Sequence, residues 1–297
     1  MDKRAFLKTS TTLAAGSALI LSSPIGSLAR GYPTESLTVG QIMDLFISAV
    51  PGAPIANTVD TLKSGNRDIK VTGIVTTMFA TLEVIKKAID LNANFIIAHE
   101  PTFYNHLDAT DWLEKDNVYR FKADLLSKHN IAIWRNHDYV HSHFPDGVKS
   151  GVIARLGWEK YFNPNTNHLV VIPDITLKKL IEHIKDKLGI STVRYIGDLS
   201  QSCKKILFNP GFNSGSRIIP VIASEKPDLV LGGEVQEWEI PEYIRDARMT
   251  GQRISLVVMG HADSEEPGSD FMAKWLKEKL PGMNVTHMPS KNPLSFF

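Results

Sequence analysis

Three short apolar runs in this chain each lead into side chains of the kind that bind metal ions. Phe95-Ile96-Ile97-Ala98 runs into His99 and Glu100, Ile131-Ala132-Ile133-Trp134 is followed by His137, His141 and His143, and the run 254–259 ends in Gly260-His261 with Glu265 shortly after. Neutral imidazole and ionised carboxylate together suit zinc, iron, manganese and nickel, so the residue types name a class of metal chemistry without naming the metal. Two such ions about 3.5–4 Å apart hold a hydroxide and stabilise a developing oxyanion, chemistry that serves hydrolysis of phosphoesters, cyclic amides or heterocycles. Covalent catalysis is disfavoured. The chain has no nucleophile elbow, and its single cysteine, Cys203, stands in no catalytic pattern. A nicotinamide dehydrogenase is a poor fit, because no Gly-x-Gly-x-x-Gly follows the first strand.

Each fragment alone has a plainer explanation. His99 and Glu100 are neighbours, and on an extended chain they point to opposite faces. In the loop beyond the strand they can diverge toward two ions, or simply form a salt bridge or a helix cap. The three histidines between 137 and 143 are either ligands or hydrogen-bonded imidazoles of a polar loop. His261 and Glu265 share a face if a helix begins near Asp263, which also puts Pro267 in its first turn, where its missing N–H costs little. An ordinary i,i+4 polar pair explains that spacing equally well. Glu234, after Gly232-Gly233, is a weak candidate for proton transfer or one half of a salt bridge at a strand end. Trp238 lines a pocket or, more simply, sits in a core or interface.

The elements that must position these groups alternate between strand and helix. Residues 37–46, 81–91, 117–129, 148–156, 177–188 and 269–280 carry helical apolar faces, with Thr81 placed to cap the second. Residues 70–76, 95–98, 131–134, 169–172, 193–196, 205–208, 229–231, 254–259 and 284–288 read as short strands, rich in β-branched residues. In open α/β sheets ligands gather beyond the carboxyl ends of the strands, where the three ligand-bearing segments lie. Pro210-Gly211-Phe212-Asn213-Ser214-Gly215-Ser216 reads as a loop, either a tight turn or an anion cradle. Asn163-Pro164-Asn165-Thr166-Asn167 is the clearest linker.

Composition sets the outer limits. The 297 residues are 43% apolar and 22% charged, an ordinary globular balance. The 33 basic and 32 acidic residues leave no excess for phosphate backbones, so no nucleic acid partner is expected. Residues 1–30 have the charge, apolar stretch and small-residue exit of a signal peptide. Their apolar stretch is too short for a membrane span, so none is expected after its removal. The start, Lys3-Arg4-Ala5-Phe6-Leu7-Lys8, resembles a twin-arginine export signal with Lys3 in place of the first arginine, and implies a periplasmic location. One cysteine forms no internal disulfide, so an exported form must rest on its core, a metal or assembly.

Taken together, the segments resemble the NIF-three-like dinuclear metal-centre family, also labelled GTP cyclohydrolase type-two-like, from residue 37 to about residue 293. His99-Glu100-Pro101 stands at the family's His-His-Pro, and His137-Asp138-Tyr139-Val140-His141 at its His-Thr-x-x-Asp. Gly232-Gly233-Glu234 matches a later Gly-Glu segment. Most specific is the stretch 260–268, which resembles Gly-His-x-x-x-Glu-x-Pro-Gly. Glu100 and His141 depart from the pattern in opposite senses and jointly keep three histidines and two carboxylates. The resemblance implies two divalent ions held by His99, Glu100, His141, His261 and Glu265, with Glu265 bridging and His137 a supporting or alternative ligand. It implies a two-lobed α/β fold of layered sheets with flanking helices, and a homo-oligomer, often a ring-shaped hexamer. The expected organisation is an export signal over 1–30, a metal-binding α/β lobe over 31–162, and a second α/β lobe over 163–297 whose last part completes the site. The expected function is an exported metal-dependent hydrolase of an unidentified small molecule, or else a metal carrier or scaffold without turnover.

Overall fold

Strands that read as unbroken apolar runs belong in sheets covered on both faces, and two such sheets form the framework. The computed structural model describes residues 37–166 and 168–295. The segment read as an export signal lies outside them. Helix α1 (Val39–Ile47) is entered through Thr38, whose side chain and that of Gln41 exchange a reciprocal capping pair. There follow β1 (Leu62–Ser64), β2 (Ile74–Thr77), α2 (Leu82–Asp90), β3 (Phe95–Ala98), α3 (Asn117–Lys128) and β4 (Ala132–Arg135). Thr81 caps α2 as its sequence position implies, and Asp116 caps α3. Strands β2, β3 and β4 are parallel neighbours, joined by helical crossovers, with β1 antiparallel on the outer edge of β4.

A short helix α4 (Asp138–Ser142) and α5 (Gly147–Leu156) lead into the second half. It comprises β5 (Leu169–Thr176), α6 (Leu177–Leu188), β6 (Arg194–Ile196), β7 (Ser202–Asn213), α7 (Gly215–Glu225), β8 (Leu229–Val235), α8 (Ile240–Met249) and β9 (Ser255–Val258). Its sheet runs β5-β7-β8-β9-β6, parallel in the middle and antiparallel at both edges. Helix α9 (His261–Lys279) then carries the chain back, and β10 (Val285–His287) joins the first sheet beside β2.

Side-chain alternation divides each sheet between two cores. In β3, Phe95 and Ile97 pack with α1 and α9, while Ile96 and Ala98 face α2 and α3. In β9, Val257 packs toward α5 and α6, and Leu256 and Val258 toward α7 and α8. Helices α5 and α9 cross in backbone contact: a Cβ on Gly151 would lie 2.1 Å from the Pro267 carbonyl oxygen, and one on Gly268 2.8 Å from Val148 Cα. Among the described residues no helix is long and apolar enough to cross a membrane.

Three local expectations are corrected. The segment 210–213 is not loop but the end of β7. Pro210, which cannot donate to a ladder, sits where the pairing with β8 is interrupted between Asn209 and Phe212. The possible anion cradle ahead of α7 is already filled from within, because Glu239 Oε2 accepts from Gly215 N at 2.6 Å. Helix α9 begins at His261 rather than near Asp263, so Pro267 lies in its interior and not its first turn.

Candidate metal centre

The strand alternation also decides which way the ligands point. His99 continues the Phe95 and Ile97 face, toward α9, and Glu100 continues the opposite face. Arg135 lies on that same opposite face, following Ile131 and Ile133, and Ala98 pairs with Arg135 in register. Glu100 therefore has a guanidinium beside it: Arg135 Nη2 stands 3.2 Å from Glu100 Oε2, and the arginine is wholly buried. His137 and His141 stand at the start and in the last turn of α4, which follows β4. His261 and Glu265 occupy one face of the first turns of α9, which follows β9. The site thus collects the carboxyl ends of strands from both sheets.

Four imidazoles turn the same atom inward. His261 Nε2 lies 3.2 Å from Glu100 Oε1 and 3.1 Å from Glu265 Oε2. His99 Nε2 is 3.5 Å from Glu265 Oε2, His141 Nε2 is 3.8 Å from Glu265 Oε1, and His137 Nε2 is 3.8 Å from Glu100 Oε1. Each ring turns its Nδ1 outward onto an oxygen: His99 on the Asn136 carbonyl at 3.2 Å, His137 on Asp138 at 2.9 Å, His141 on Asp146 at 3.2 Å and His261 on Glu234 at 2.7 Å. Metal-ligating histidines show this pattern because the outer bond fixes the tautomer and frees the inner nitrogen. The donor atoms of His99, His137 and His141 all lie within 4.8 Å of one another, as do those of His99, Glu100 and Glu265. No hydrogen bond closes on the buried Nε2 of His99.

The electrostatics describe a site that holds protons where a dication fits. Burial alone would lower the His99 and His261 pKa values, but the two carboxylates outweigh it and raise them to about 9 and about 11. Burial likewise opposes ionisation of Glu100, yet hydrogen bonding and charge from His261 and His99 bring it down to about 2. Against its burial, Glu265 is held well below the ordinary carboxylate value by His99 and His261. His137 goes the other way, to about 4, through burial and the charges of His99 and His141. A divalent cation replaces imidazolium protons on the same inner nitrogens. On donor type, mutual spacing, outer-atom bonding and the unbonded nitrogen of His99, these residues fit a divalent metal.

His99, Glu100, His137, His141, His261 and Glu265 are thus brought to one place. Glu234 is half-exposed and touches His261 Nδ1, which makes it an orienting group for that ring. Trp238 is 74% exposed and lies outside any core. His143 turns away, its Nδ1 on the Pro145 carbonyl and its ring stacked on Phe46. Four participants escaped the sequence reading: Asp138, Asp146, Arg135 and Gly211. Asp138 and Asp146 were findable as acids within a few residues of the histidines. Gly211 had no such signal. It adopts φ +72°, and a Cβ there would lie 2.3 Å from Glu265 Oε1.

A family model described as Duf34/NIF3 (NGG1p interacting factor 3) matches residues 56–293. A GTP cyclohydrolase 1 type 2 homolog of Clostridium acetobutylicum is 25% identical over 244 residues, covering 78% of this chain and 87% of that protein. One from Clostridium perfringens is 24% identical over 247 residues, covering 79% and 90%. Among solved structures, a Bacillus cereus protein related to NIF3 superposes with a TM-score of 0.70 at 19% identity, over 89% of this chain and all of the other. Reduced HcgD from Methanocaldococcus jannaschii superposes with a TM-score of 0.58 at 16% identity, over 85% and 98%. These structural likenesses show a shared fold.

Proposed function

Since this chain belongs to the Duf34/NIF3 family, we propose that it is a metal-dependent hydrolase whose centre takes two divalent ions on His99, Glu100, His141, His261 and Glu265, with His137 as a further ligand or support. The observation that carries this reading is the common orientation of four imidazoles, Nε2 inward and Nδ1 on an oxygen. Glu265 suits a bridging role because Oε1 faces His141 while Oε2 faces His261 and His99. Arg135 occupies Glu100 Oε2 and leaves only Oε1 for the centre. Divalent ions there would supply Lewis acidity and activation of water near neutral pH. Glu234 holds the His261 ring from the solvent side. The name of the curated relatives makes GTP the first heterocycle to test, alongside phosphoesters and cyclic amides.

Metal per chain, measured by elemental mass spectrometry on the wild type and on Glu265→Ala, tests the centre. About two ions in the wild type and clear loss in the variant are expected. Near zero after reconstitution with zinc, iron, manganese and nickel would refute it. A second reading, a metal carrier without turnover, draws on the donor count, since four imidazoles and two carboxylates fill most positions of two ions. Rapid metal exchange without hydrolysis of any substrate class would favour it. We also propose periplasmic export directed by the amino-terminal segment and assembly as a homo-oligomer. Cell fractionation and light scattering test these two points.

A further inference from the structure

The start of α9 is held from two sides. His261 and Glu265 share the face turned to the centre. Asp263 and Glu266 fall about 200° and about 140° round the helix from His261, on the far face. Beside that face lies a cavity of about 780 Å³, bounded also by the loop after α6 and by the carboxyl-terminal segment from Pro289 to Ser295. Open space leaves fewer packing contacts to fix the helix there. Hydrogen bonds from the carboxyl-terminal segment cross it instead. Asn292 Nδ2 donates to Asp263 Oδ2 at 2.9 Å, and the backbone N and Oγ of Ser290 both donate to Glu266 Oε2, at 2.9 and 3.0 Å. His287 Nε2, at the end of β10, stands 3.5 Å from the other oxygen, Glu266 Oε1. The segment is tied at one further point, where Lys291 Nζ donates to Glu83 of α2 at 3.1 Å.

The need for these bonds is local. Gly260 precedes α9 with φ +107° and offers no side-chain cap, so the first turn lacks the bond that usually fixes a helix start. The same missing side chain lets Asp263 and Asn292 meet, because a Cβ on Gly260 would lie 2.8 Å from Asp263 Oδ2 and 3.4 Å from Asn292 Nδ2. The two metal-facing residues differ in what else holds them. Glu265 is buried in the second turn against Gly211. His261 is the first residue of the helix, and its side chain is 24% exposed. We propose that Asn292 and Ser290 are positioning residues: through Asp263 and Glu266 they fix the first turns of α9 and so set the place of His261 in the centre. They act on metal only if the centre binds it, as proposed above. A ligand set tolerates displacements of only about 0.5 Å, so a loosened first turn is felt as lost affinity before it is felt as lost fold.

Competition with a chromogenic chelator on the full chain measures metal affinity, with zinc, iron, manganese and nickel in separate samples, and thermal unfolding of the metal-free protein measures the fold. Asn292→Ala should bind metal about 10-fold more weakly, the lower end of the loss when an outer partner of a ligand is removed. Asn292→Asp, alike in size but unable to donate, should weaken binding at least as much. Ser290→Ala should lose less, because its backbone N–H still donates to Glu266. Lys291→Ala is the matched control, since it frees the same segment from α2 and leaves both bonds to α9 in place. It should keep wild-type affinity, and its metal-free form should unfold at a temperature close to that of Asn292→Ala. Wild-type affinity in Asn292→Ala, or equal weakening in Lys291→Ala, would overturn the positioning role and leave the metal centre standing. So would a fall in metal-free Tm confined to Asn292→Ala, which would assign Asn292 to the fold at large. A wild type that binds none of the four metals would overturn the metal centre and the positioning role together.

Discussion

Replacing Gly211 by alanine should empty the metal centre without touching a ligand. An alanine Cβ at this position would stand 2.3 Å from Glu265 Oε1 and 2.6 Å from its Cδ, whereas ordinary contact begins near 3.4 Å. The carboxylate must therefore retreat by about 1 Å, twice the tolerance of about 0.5 Å within which a functional constellation works. The backbone has little room to yield instead. Ser264 Oγ accepts from Gly211 N at 2.9 Å, and the Gly211 backbone lies within 2.8 Å of where a Gly233 Cβ would sit. A left-handed alanine also costs about 1–2 kcal/mol, about 2–8 °C in Tm for a domain of this size. Gly157→Ala separates the two effects, because Gly157 has φ +70° and nothing within 4 Å of a Cβ. Both variants should share the modest loss in Tm, read by thermal unfolding. Only Gly211→Ala should lose metal, read by elemental analysis after equal reconstitution. Wild-type metal content in Gly211→Ala would show that Glu265 is not held against that strand as a ligand, and the geometric reasoning would fail.

Two further outcomes follow from buried charges. Arg135→Met removes a guanidinium 3.2 Å from Glu100 and 3.7 Å from Asp108 but leaves Glu100 its His261 contact and Asp108 its Lys63 pair, and should lower stability by about 1.5–3 kcal/mol in chemical denaturation; a loss under about 1 kcal/mol would mean that the remaining partners or solvent satisfy both acids. Lys122 is buried, donates to the Thr102 carbonyl at 2.6 Å, and has its pKa lowered to about 8, by burial first and with partial relief from Asp108. Its folded value is below its unfolded one, so charging it costs stability fully below about pH 8. That cost is released as pH rises from about 8 to 10.5, by about 3 kcal/mol. The stability difference between wild type and Lys122→Met, followed by denaturant titration across that window, should shift in favour of the wild type, and a flat difference would refute the shift.

The alternation of apolar runs was legible because each sheet is covered on both faces, and the strands β3, β4 and β9 lie within a residue or so of where the runs place them. Helix α8 is absent from the sequence-based expectations: Ile240, Ile244 and Ala247 stand at helical spacing with Pro241 near the start, but the run is short and polar between those points. Helix α4 is only five residues long and has no period to detect. What the sequence could not carry is partnership across distance. Nothing local to Arg135 says that it faces Glu100, because that follows only from the register of β3 against β4. Nothing local to Gly211 says that Glu265 needs the space of its missing side chain. The ligand types could be read residue by residue, whereas the outer oxygens on the imidazoles depended on the turn at α4 and the end of β8.

The bond from His261 Nε2 to Glu100 Oε1 spans 161 positions of the chain. A link of that reach exists only in the folded chain, which must close the whole intervening loop before it can form. An ion bound there would stabilise the folded chain by its binding free energy, a contribution that the single buried cysteine cannot make. Coordination at the centre would act as a reversible clasp on the whole polypeptide, fastening the beginning of one sheet's ligand set to the helix that leaves the other. The lifetime of the folded chain would then be set in part by how rarely that clasp opens, and a chelator would shorten it even where no substrate is ever turned over.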